Sequence, residues 1–176
     1  YIPVVLPGVG RGKSDQPPNA KHELCVVGGT ARRNWGLLRH YLHNASSGRF
    51  NLAIVGSGGY PKLLKNKAVR LEKVTDYEGF HDRVRQCDAV LVLATLLNQT
   101  QYFDTAGSSK KLTGTVPIVL AYRIPVLIHE DLFVLYQDYF GSFPLVTHSD
   151  NATSFITAMG QLLELLDNRM ESAARS

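Results

Sequence analysis

The stretch Ser109-Ser-Lys-Lys-Leu-Thr-Gly-Thr-Val-Pro-Ile-Val-Leu-Ala-Tyr-Arg-Ile-Pro-Val-Leu-Ile-His-Glu130 decides how this chain is read. It opens with hydroxyls and two adjacent lysines, Lys110 and Lys111, and runs into an apolar segment suited to a buried helix. A turn at Arg123-Ile124-Pro125 leads to a short apolar strand, Val126 to Ile128. A polar, cationic loop feeding a buried helix predicts an anion site. The free N–H groups of the helix start and the lysine charges both face the anion.

Working outward, the same alternation continues on both sides. Upstream lie apolar runs at Glu23–Gly29, Phe50–Val55, Ala68–Val74 and Asp88–Ala94, each predicting a strand. Helical periodicity separates them over Trp35–Leu42, with Asn34 as N-cap, and over Tyr77–Arg85, with Asp76 as cap. Residues 61–67 suggest one further helical turn. Downstream come a helix near Asp131–Tyr139, a strand Pro144–Thr147 and a final helix Asn151–Met170, capped by Asp150 or Asn151. The strands are apolar on both faces and alternate with helices. That pattern predicts an α/β domain with a mostly parallel six-stranded sheet and helices on both faces. Ligands of such sheets bind beyond the C-terminal strand ends. The Gly28-Gly29 loop, the Gly56-Ser57-Gly58 loop, the long polar stretch Thr95–Ser108 and the Ser109-Ser-Lys-Lys segment all follow strand ends. His129 and Glu130 reach the same edge, read as an exposed polar strand end rather than a catalytic pair.

The chain has 176 residues, 44% hydrophobic and 19% charged, which is the composition of one globular domain. Residues 1–21 read as a linker or extended arm, 22–170 as the domain and 171–176 as a tail. A P-loop at Gly12-Lys13-Ser14 is excluded, because Pro7 stands where the pattern needs glycine and Pro17-Pro18 follow. The net charge of +4 suits a phosphate-bearing ligand and is too small to argue for nucleic acid. Cys25 and Cys87 lack metal-binding spacing and read as small buried thiols. No apolar run approaches the roughly 18 residues of a membrane helix, and no signal-peptide pattern is present. Sequons at Asn44, Asn98 and Asn151 permit a lumenal history, so cytoplasmic and ER- or Golgi-associated locations both stay open.

From about Glu23 to Leu166 the sequence resembles the C-terminal half of a two-domain glycosyltransferase of the GT-B fold. The residues that carry the resemblance are Gly29 and Gly36 at the first strand–helix junction, and Ile54-Val55-Gly56-Ser57-Gly58 at the end of the second strand. Cys87-Asp88 opens the fourth strand, and Ser109–Ile128 forms a loop, helix and Pro-Val strand. The resemblance implies a Rossmann-like three-layer domain that binds a nucleotide-diphosphate sugar, a UDP- or GDP-sugar, with no other cofactor. It also implies a partner, an N-terminal acceptor-binding domain in the same or another chain. Retaining members place a lysine before the second glycine; here Trp35 stands there, and Arg32 or Arg33 supplies the charge. Their two donor-site glutamates fall, counting back from Pro125, on Lys110 and Ile118.

The implied donor site is therefore Gly29, Gly56, Ser57 and Gly58 for close backbone approach, with Arg32, Arg33, Ser109, Lys110 and Lys111 on the diphosphate. Val74, Thr75 and Tyr102 lie near base or sugar, and Glu130 borders them. No catalytic residue and no metal ligand is assigned. The missing glutamates keep open a second class of function, a non-catalytic interaction domain derived from such an enzyme. A nicotinamide-dependent oxidoreductase is disfavoured, since Pro61 replaces the third glycine of the fingerprint and the second strand does not end in an acid.

Overall fold

Why the strands bury both faces is visible in their side-chain parity. In the computed structural model, which describes residues 22–28, 33–44, 49–56, 69–72, 74, 76–94 and 114–175, odd and even strand positions feed two separate cores. The strands are β1 (His22–Val27), β2 (Phe50–Val55), β3 (Val69–Glu72), β4 (Ala89–Val92), β5 (Val126–His129) and β6 (Leu145–His148). The helices are α1 (Trp35–Asn44), α2 (Tyr77–Arg85), α3 (Thr115–Tyr122), α4 (Glu130–Phe140) and α5 (Ala152–Ala174). On one face Leu24, Leu52, Ile54, Leu91 and Leu127 meet Leu38 of α1 and Phe155, Met159 and Leu162 of α5. On the other, Val27, Ala53, Val55, Val90 and Ile128 meet Val84 of α2, Val119 of α3 and Leu132 of α4.

The six strands are all parallel, in the order β3-β2-β1-β4-β5-β6. The chain winds outward from β1 to one edge, then returns to lay β4 against the other side of β1. This reversal creates a topological switch point between β1 and β4, where a crevice opens beyond the strand ends.

Two helices start as read: Asp76 accepts from Gly79 N at 2.6 Å, and Asn151, not Asp150, caps α5 by accepting from Ser154 N at 2.7 Å. α5 runs through Ala174, past the Met170 expected as its end, so the expected tail is helical to that point. The expected arm (residues 1–21), the turn at 61–67 and the loop Thr95–Ser108 lie outside the described residues.

One expectation about the core is overturned. Cys25 and Cys87 are joined in a disulfide with a Cα–Cα separation of 5.8 Å. Strand parity turns Cys25 toward the α2 face, and the turn leaving α2 brings Cys87 beneath it; that separation suits a bridge. Arg83 strengthens the same corner by pairing with Glu23 of β1 and Glu72 of β3. Burial alone would disfavour its charge, but the two carboxylates prevail and hold its pKa above the ordinary arginine value.

Candidate functional site

The site is built from the ends of β1, β2 and β4 and the starts of α1 and α3. β1 passes directly into Gly28, whose φ of +95° is a conformation that side-chain-bearing residues rarely adopt. Its N–H still donates to Val55 O at 2.8 Å, so the sheet ladder continues to this point. Gly56, at the end of β2, lies against it. A Cβ on Gly56 would fall 2.6 Å from Gly28 O, so only glycine lets the two strand ends close to this distance.

Three contacts draw the helix starts onto these strand ends. Thr115 Oγ1, in the first turn of α3, donates to Val27 O at 3.1 Å. Arg33 Nη2 donates to the same carbonyl at 2.5 Å. Asn34 N donates to Leu93 O at 2.7 Å, which sets the entry of α1 over the end of β4. The Arg33 guanidinium lies over Gly28, where a Cβ would be 3.3 Å from Nη2. α3 begins at Gly114 with no side-chain cap and no acidic residue in its first turn. Its positive dipole end therefore faces the switch-point crevice beside a guanidinium. Chemically, this arrangement can attract and hold an anion.

A second cluster lies at the same sheet edge, where β5 and β6 end side by side on His129 and His148. Both imidazoles are buried, at 2% and 3% exposure, with ring centroids 5.3 Å apart. The sequence reading of His129 as an exposed strand end is thus corrected: its ring lies against His148, which in turn meets Phe155 of α5, and Asp150 borders it. His129 Nδ1 accepts from Asp131 N at 3.2 Å, which leaves the ring proton on Nε2, 3.4 Å from Asp150 Oδ2. Asp150 Oδ1 accepts from Asn34 Nδ2 at 3.3 Å, so Asp150 borders both clusters. His148 Nδ1 donates to Ser149 O at 2.9 Å. Burial pushes the His148 pKa below the ordinary histidine value, with the Ser149 carbonyl opposing. Among the described residues, neither Nε2 atom has a hydrogen-bond partner.

Of the residues implied by the resemblance, Arg33 and Gly56 come together at the switch point. Glu130 is exposed as the first residue of α4, and Val74 packs against the core on the α2–α4 face. Gly29, Arg32, Ser57, Gly58, Thr75, Tyr102, Ser109, Lys110 and Lys111 lie outside the described residues. Sequence reasoning placed the Gly28-Gly29 loop at this edge and Asn34 at the start of α1, but missed Thr115. The hydroxyl opening α3 was the available signal. No group of three or more histidine, cysteine or carboxylate side chains among the described residues is arranged to hold a metal ion.

Comparison with solved structures gives the fold its context. The catalytic domain of cholesterol-alpha-glucosyltransferase from Helicobacter pylori superposes with a TM-score of 0.54 at 13% identity, covering 89% of this chain and 96% of that one. UDP-GlcNAc 2-epimerase from Neisseria meningitidis, solved with UDP-GlcNAc bound, gives 0.53 at 13% identity over 87% of this chain. The chain has the fold of a GT-B-type glycosyltransferase domain. It spans 39% of the epimerase. No family model and no curated protein matches the sequence.

Proposed function

We propose that this domain binds the nucleotide-diphosphate sugar of a glycosyl transfer, with its diphosphate at the β1–β4 switch point. The observation that carries the reading is the meeting of Gly28, Gly56 and the uncapped, acid-free start of α3 at one strand edge. A diphosphate needs close backbone approach, free N–H donors and positive potential, and these three features supply them. Arg33 adds a guanidinium, while Lys110, Lys111 and Arg32 extend the positive charge in sequence. Transfer then depends on stabilising charge on the departing diphosphate rather than on a nucleophile from this chain. The acceptor would come from an N-terminal domain in the same or another chain.

Thermal denaturation with millimolar UDP, GDP and ADP tests this. Ligand at a hundredfold excess over Kd adds about 2.7 kcal/mol, a readily measured rise in Tm. UDP or GDP should raise Tm, and replacing both Lys110 and Lys111 with alanine should abolish the rise. If none of the three nucleotides moves Tm, the donor reading is wrong.

One observation favours a non-catalytic interaction domain instead. Ile118, at a position where the resemblance expects a donor-site glutamate, packs against the α2–α4 core. The same titration separates the two readings, since the interaction domain binds no nucleotide.

A further inference from the structure

We propose that this chain folds in an oxidising lumen and carries an N-linked glycan on Asn44. Two independent observations lead there. The first is the Cys25–Cys87 disulfide. It uses both cysteines of the chain and lies in the core, with exposures of 0% and 6%. A bridge so deeply buried is closed while the sheet assembles, so the compartment of folding must be oxidising. Reducing compartments keep such thiols apart. Its formation removes two protons and two electrons from the thiols. They pass to a protein disulfide, which leaves as a dithiol.

The second observation is the placement of the sequon Asn44-Ala45-Ser46. Asn44 is the last residue of α1 and is exposed. Its Nδ2 donates to His40 O at 2.9 Å and lies 3.3 Å from His40 Nε2, both within its own helix. Glycosylation bonds Nδ2 to the anomeric carbon of a lipid-diphosphate oligosaccharide. The C1–O bond to the phosphate breaks, the lipid diphosphate departs and Nδ2 gives up one proton to water. The remaining N–H can keep the bond to His40 O. α1 enters over the C-terminal end of β4 and runs about 15 Å back along the sheet. A glycan on Asn44 therefore projects from the pole opposite the crevice.

Asn151 is differently placed. Its Oδ1 caps α5 and its Nδ2 donates to Ser149 Oγ at 2.7 Å, beside Asp150 on the crevice edge. Glycosylation there would have to displace an Nδ2 bond that the turn into α5 already uses. Asn98 lies outside the described residues.

The full-length protein, isolated from its native cells, provides the test. After PNGase F, peptide mass spectrometry should find Asn44 converted to aspartate. Asn44→Gln and Ser46→Ala variants should each lose the corresponding mass shift. Alkylation under denaturing conditions without reductant should leave Cys25 and Cys87 unlabelled. Recovery of Asn44 unmodified, or a glycan on Asn151 alone, overturns the site; labelling of both thiols overturns the compartment. Because neither readout involves nucleotide, this proposal stands or falls separately from the donor site.

Discussion

His148 shows how a single buried group makes the molecule sensitive to pH. Its imidazole lies between His129 and Phe155, with ring centroids 5.3 and 5.0 Å away. Burial favours the neutral form, so its pKa in the folded protein lies below the unfolded value of about 6.5. Between those two values the unfolded chain binds more protons, so stability rises with pH. The contribution is intact above about pH 6.5 and is lost as pH falls toward the folded pKa. Asp167 adds to the trend at lower pH. Partial burial opposes its charge, but hydrogen bonds from His22 and Arg49 prevail and hold its pKa below the ordinary carboxylate range. Urea midpoints at pH 7.5 and 5.5 should show the protein weaker at the lower pH. His148→Phe, which cannot take up a proton, should shrink that difference. An unchanged difference in the variant would show that His148 is not its source.

At the scale of elements, α3 matters most, because its position decides whether the crevice has an anion-attracting end. Its own sequence, Thr115–Tyr122, is apolar around the whole circumference, so burial alone does not fix where its first turn lies. The Thr115 bond to Val27 O does. Replacing Thr115 with valine keeps the shape and removes that bond, which should cost about 1 kcal/mol in urea denaturation. If the donor reading holds, the same variant should show a smaller nucleotide-induced rise in Tm than the parent. A nucleotide response equal to the parent's would show that this bond does not position the helix for ligand.

The whole molecule is held by two cores on either side of one sheet, with a covalent bridge on the α2–α4 side. The bridge closes a loop spanning 62 residues, so the chain-entropy argument assigns it about 4 kcal/mol. Oxidised protein should therefore unfold at a higher denaturant concentration than reduced and alkylated protein by about that free energy. Equal midpoints would show that the bridge adds nothing to global stability.

The sequence alone determined the class of fold. Runs such as Leu24–Val27 and Leu52–Val55, apolar at successive positions, cannot sit half-exposed, so they required a parallel sheet covered on both sides. The glycines at the strand ends and the apolar α3 also pointed to the edge on which the candidate site lies. What the sequence could not show was partnership across distance. Cys25 and Cys87, His129 and His148, and Thr115 and Val27 are separated along the chain, and their meeting depends on strand order, register and the angle of each helix. Local periodicity does not encode those choices. They are made when both faces of the sheet are packed at once, and only then does Gly56 close on Gly28 and His129 meet His148.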